Sequence, residues 1–180
     1  MLDPTFGILI VAGMALLLLT AAWQKLRSFT EFAAALAAYR LFPRALLPML
    51  SWLIPFLEVA IAVGLLVPWS RPPAAMSGCA VLLAYALGIA INLGRGRRNL
   101  DCGCAGPDNR TPIAPWMVMR NLLLATLLGV ANLRWSGRPL ALTDGLSIAA
   151  GLAAAAILYR ALDTLLGQIL PRGSMLRRLS

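Results

Sequence analysis

The chain contains no histidine, and only 13% of its 180 residues are charged. The missing imidazole removes the commonest metal ligand and the commonest general acid or base, which excludes histidine-ligated zinc hydrolases and Ser-His-Asp catalysis. Acidic residues are also scarce, 7 against 16 Lys and Arg. Three cysteines are too few for a disulfide-built scaffold. What is abundant is apolar sequence: 60% hydrophobic residues exceeds the roughly 45–50% of an ordinary soluble domain, so a soluble globular protein is excluded. The positive charges fall between apolar runs and form no separate basic domain, a distribution that suits a membrane surface and not nucleic acid.

Five apolar runs organise the chain. Residues 6–22 suit a retained spanning helix ending in Trp23, Gln24 and Lys25, because the run starts too near the N-terminus for a basic leader region and has no small-residue cleavage site. Residues 28–39 are alanine-rich and too short to span; with Glu31 after a Ser28 or Thr30 cap they read as an interfacial helix. A second span covers residues 48–67, with Pro55 predicting a kink and Glu58 near the middle, and is followed by a turn over residues 68–73. The third covers residues 74–93, the fourth 116–133 and the fifth 140–158, whose Gly and Ala permit close helix contact. The fold expected is an all-α polytopic membrane bundle of four core transmembrane helices plus a fifth C-terminal helix. It forms one domain over residues 1–170, with a basic tail at 171–180.

The charge distribution orients this bundle. Lys25, Arg27, Arg40, Arg44, Arg95, Arg97, Arg98, Arg110, Arg160, Arg172, Arg177 and Arg178 fall on one side, and Arg71, Arg134 and Arg138 on the other. The positive-inside rule then places the N-terminus outside, and the 94–115 loop and the C-terminus in the cytoplasm, in a membrane read as the bacterial inner membrane.

That loop carries the chemistry. Cys102 and Cys104 are separated only by Gly103, whose backbone freedom allows a small, strained and reducible disulfide ring. So short a ring removes little unfolded-chain entropy, which makes structural stabilisation a poor reason for the pair. Arg95, Arg97, Arg98 and Arg110 favour the thiolate, the nucleophile of thiol–disulfide exchange, while Asp101 and Asp108 oppose it. A redox pair is the favoured reading; two idle thiols, or a soft-metal site for Cu(I) or Hg(II), are the alternatives. Cys79 lies about 16 residues, or roughly 24 Å of helix, from the loop, and reads as a small core residue. With no second cysteine pair, electrons must pass to a thioredoxin-like protein, a small thiol or a quinone.

Glu58 is costly inside an apolar span and needs a partner or a proton; Lys25 and Arg120 approach from the loop side. A structural ion pair and a functional carboxylate are both open readings of it.

Together, Trp23-Gln24-Lys25-Leu26, the segment 32–43, Pro55-Phe56-Leu57-Glu58, Arg97-Arg98-Asn99-Leu100-Asp101-Cys102-Gly103-Cys104 and Arg120-Asn121-Leu122 resemble the MauE family of methylamine-utilisation proteins, within the wider DoxX-like membrane family. The resemblance covers roughly residues 5–160. It implies a redox-maturation role beside a thioredoxin-like protein, MauD in the methylamine system, with an extracytoplasmic client, the small subunit of methylamine dehydrogenase. Carried onto this chain, it makes Cys102 and Cys104 the redox pair and gives Glu58 and Arg120 supporting places within the membrane. A non-catalytic assembly chaperone is the rival function.

Overall fold

The structure, a computed structural model, describes residues 3–100, 112–132 and 138–176. The expected redox residues Asp101, Cys102, Gly103 and Cys104 lie outside the described residues. Among those described, the chain is helical and has the all-α architecture of a polytopic membrane bundle.

Helix α1 (Pro4–Arg27) starts where the Asp3 carboxylate accepts the Thr5 amide at 2.9 Å, with Pro4 in the first turn, where its missing N–H goes unneeded. Ser28 interrupts the helix, and α2 (Phe29–Tyr39) begins at once. It stops at Arg40, a left-handed residue with φ 51°. A short 3₁₀ turn, Arg44–Leu46, leads into α3 (Leu47–Leu66), which continues through Pro55 as one element.

Between α3 and α4 (Arg71–Gly94), Ser70 Oγ donates to the Gly64 carbonyl at 2.9 Å and Arg71 Nε to the Leu65 carbonyl at 3.2 Å. These bonds satisfy end-of-helix acceptors that lipid cannot. The helix starts earlier than the sequence turn at residues 68–73 implied, since Pro72 and Pro73 sit in a first turn that needs no amide donors. At its far end the Gly96 amide bonds the Leu93 carbonyl and the Arg97 amide the Asn92 carbonyl, a Schellman closure that requires the positive φ of Gly96, 73°. Helix α5 (Pro115–Ala131) follows, and then α6 (Leu142–Leu176), which extends well past the expected end at Leu158.

Among the described residues, four segments are long and apolar enough to cross a membrane: Pro4–Arg27, Arg44–Leu66, Arg71–Gly94 and Leu142–Leu162. Helix α5, with 17 residues, is about 25 Å long, close to the roughly 30 Å of a bilayer core. The core is assembled from α1, α3, α4 and α5 through residues such as Leu18, Leu65, Leu82 and Leu128. Small residues allow close approach: a Cβ on Gly78 would lie 2.6 Å from Leu128 Cδ2, and one on Gly64 would lie 2.9 Å from the Ala74 Cβ. Large apolar residues such as Phe56, Leu87, Met119 and Ile157 point outward, as a lipid-facing surface requires.

Helix α6 rides on α1 through Gly151 against Leu9 and Gly13 against Leu152. At the end of this pair opposite the cysteine loop, Arg138 bonds both Asp144 oxygens at 3.1 Å, the Thr5 hydroxyl at 3.1 Å and the Asp3 carboxylate at 3.3 Å. Asp3 is held below the usual carboxylate range, first by the Thr5 amide and then by Arg138. The same carboxylates push the Arg138 guanidinium up.

Candidate functional site

The described residues that flank the cysteine segment form a closed stem. The Ile113 amide donates to the Leu100 carbonyl at 2.9 Å, so the two ends of the 101–111 segment are bonded to each other. Beneath the stem, Ile113, Ile89 and Met117 form a second small core, with Tyr39, Leu93, Leu100 and Trp116 packed against it. Leu100 and Ile113 thereby meet at the α4–α5 end of the bundle.

Arg97 is drawn into this stem. Its guanidinium donates to Asn92 Oδ1 at 3.1 Å and to the Tyr39 carbonyl at 3.4 Å, tying the end of α2 to the end of α4. Asn92, fully buried, donates in turn to the Gly88 carbonyl at 3.1 Å. Arg97 therefore holds the base of the loop in place, whereas Arg98 is exposed beside it.

Deeper in the same half of the bundle, Glu58 and Lys25 form a buried ion pair, 0% and 4% exposed. Lys25 stands in the last turn of α1 and reaches Glu58 Oε1 in α3. The Tyr85 hydroxyl of α4 donates to the same oxygen at 2.7 Å. The ammonium also lies 5.1 Å from the Tyr85 ring centroid and 5.7 Å from that of Phe32, the one buried side chain of α2. One ion pair thus joins four helices. Glu58 Oε2 has no hydrogen-bond partner among the described residues, so this carboxylate keeps one acceptor in reserve inside a sealed core.

Of the two cations the sequence offered to Glu58, the structure selects Lys25. Arg120 instead places its guanidinium 5.2 Å from the Trp116 ring and 5.9 Å from that of Tyr159, at the seam of α5 and α6. Sequence reasoning missed Tyr85 and Phe32. The available signal was Tyr85 itself, a polar-tipped aromatic deep in an apolar run where its hydroxyl needs an acceptor. Cys79 packs against the main core, with Sγ 3.2 Å from the Ala125 carbonyl.

This fold and buried cluster define an integral membrane protein of the small polytopic helical-bundle class, with a lysine–glutamate–tyrosine centre and a hydrogen-bonded stem between α4 and α5. The family model described as methylamine utilisation protein MauE matches residues 3–134. The chain is 37% identical to the methylamine utilization protein MauE of Methylophilus methylotrophus over 167 residues, 92% of this chain and 88% of that protein. It is 38% identical to the protein of the same name from Paracoccus denitrificans, over 73% of this chain and 72% of the relative. The chain belongs to the MauE family. No solved structure matches it.

Proposed function

We propose that this protein serves methylamine utilisation as a membrane thiol–disulfide exchange factor, with Cys102 and Cys104 as its redox pair and a thioredoxin-like protein as its partner. The observation that carries the reading is the Asp-Cys-Gly-Cys sequence on a segment whose ends are bonded together at Leu100 and Ile113. A pinned stem positions a short reactive loop for a soluble partner, while the bundle below anchors it in the bilayer. In the exchange, one thiolate attacks a partner disulfide and a mixed disulfide forms; the second cysteine then resolves it. The partner leaves as a dithiol and the pair closes as Cys102–Cys104, two electrons having moved to the partner; the reverse sequence oxidises it. Lys25, Glu58 and Arg120 support the reaction by holding the helices that carry the stem.

The cationic excess favours a cytoplasmic loop in the bacterial inner membrane. Removing Lys25 and Arg97, which have internal partners, leaves that excess in place.

Of the two single variants, Cys102→Ser and Cys104→Ser, the one that removes the resolving cysteine is expected to accumulate a partner adduct that reductant releases. An impermeant thiol reagent applied to intact cells should leave Cys102 unlabelled until the membrane is opened. Labelling from outside would reverse the orientation and place the partner in the extracytoplasmic compartment. If both thiols stay alkylatable under oxidising conditions and no adduct forms, the exchange reading fails, and retained maturation would make the bundle an assembly chaperone. Bound copper or mercury in the purified protein, lost in the Cys102→Ser variant, would make the pair a metal carrier.

A further inference from the structure

Between α2 and the start of α3 lies an open groove of about 990 Å³, at the upper end of the roughly 300–1,000 Å³ of small-ligand sites. It exists because Ala33 and Ala37 present almost no side chain toward α3, while Phe32 holds α2 to the bundle. Phe29 and Trp52 form an aromatic wall, their ring centroids 4.5 Å apart. Arg40 and Arg44, both exposed, line the groove as well, and no acidic residue does.

We infer that this groove binds an anionic phospholipid, with an acyl chain along the alanine and aromatic walls and its phosphate between Arg40 and Arg44. Three features select this occupant. The walls are largely apolar, and one of them is α2, the helix whose sequence reads as interfacial, where lipid tails are the available filling. The lining is doubly cationic, and guanidinium groups match phosphate oxygens in a bidentate way that a neutral quinone headgroup cannot use. The groove also sits on the arginine-rich end of the bundle, which under the positive-inside rule faces the anionic leaflet. The left-handed Arg40 and the following Pro43 hold the two cations on one short connection, so the site is a property of the α2–α3 corner and independent of the cysteines.

The test is native mass spectrometry of the full-length, delipidated protein titrated with phosphatidylglycerol, phosphatidylcholine and ubiquinone. The parent should bind phosphatidylglycerol in preference to the other two. The Arg40→Gln/Arg44→Gln double variant should lose about tenfold or more of that affinity. Arg27→Gln/Arg160→Gln, which removes the same charge from exposed positions away from the groove, should keep it. Ala37→Trp retains both arginines and fills the groove, and should also release the lipid. All five substituted sites are exposed, and a thermal melt of each variant confirms folding. Equal losses in the two arginine doubles would reduce the effect to general surface charge and overturn the site. Undiminished binding to Ala37→Trp would show that no chain enters the groove, and ubiquinone bound as tightly as phosphatidylglycerol would replace the occupant; either result refutes the proposal.

Discussion

Replacing Glu58 by alanine should be among the most damaging single substitutions in the bundle. The carboxylate is fully buried, its oxygen Oε1 takes the Lys25 ammonium and the Tyr85 hydroxyl together, and Lys25 is itself only 4% exposed. Removing it strands a buried cation, which costs about 3–5 kcal/mol where one member of a buried pair is deleted. The Tyr85 hydroxyl loses its Glu58 acceptor as well, which adds up to about 1–3 kcal/mol. Glu58→Gln keeps the volume and an acceptor oxygen but not the charge, so its loss should be smaller, about 1.5–3 kcal/mol. The decisive variant is the double replacement Lys25→Met/Glu58→Met, which removes both charges and keeps apolar volume. Exchange of a whole buried pair for hydrophobic residues is often neutral or stabilising, so the double should recover most of what Glu58→Ala loses. The assay is denaturation in detergent micelles followed by circular dichroism, with the coupling taken from a double-mutant cycle. A double variant as unstable as Glu58→Ala, or a Glu58→Ala variant as stable as the parent, would refute the argument. Glu58→Gln that folds normally yet loses thiol exchange would assign the carboxylate a protonation role beyond its structural one.

Three further expectations are direct. Gly78→Ala should destabilise by about 1–3 kcal/mol, because the new methyl meets Leu128 at 2.6 Å, whereas Gly129→Ala, with nothing within 4 Å, should be neutral or stabilising by up to about 1 kcal/mol; the same denaturation assay compares them. Cys79→Ala should leave the alkylation-shift pattern of the Cys102–Cys104 pair unchanged, since Cys79 contacts the Ala125 carbonyl of the core; loss as severe as in Cys102→Ser would refute this. The Asp3–Arg138 contact should weaken in acid. The Asp3 pKa is depressed on folding, so its contribution is complete above the ordinary value of 3.8 and fades as pH falls below it. The protection factor of the Thr5 amide, taken against the intrinsic exchange rate at each pH, should then be lower at about pH 3 than at pH 6, and Arg138→Gln should lower it at pH 6.

Much of the fold was legible because lipid makes strong local demands. A helix must satisfy its own backbone and present an apolar exterior over about 20 residues, and both conditions are met or broken within one stretch of chain. Residues 6–22, 48–67, 74–93 and 140–158 announced themselves that way. Boundaries were less legible: the prolines at 72 and 73 read as a turn but occupy a helical first turn, and α6 continues beyond Leu158.

Sequence alone determined the class of the protein, the membership that its motifs implied, and the need of Glu58 for a partner, because each follows from composition or from the cost of one group in one apolar segment. Only the tertiary structure decided that the partner is Lys25 and not Arg120, that Tyr85 and Phe32 complete the cluster, and that Arg97 holds the stem to α2. It also decided that α6 leans on α1 and that alanines leave a groove beside α3. The physical reason is that hydropathy runs along the chain, whereas a contact depends on the depth and rotational phase of two helices at once. Those are set by close approaches such as Gly78 against Leu128 and Gly64 against Ala74, which no single segment contains.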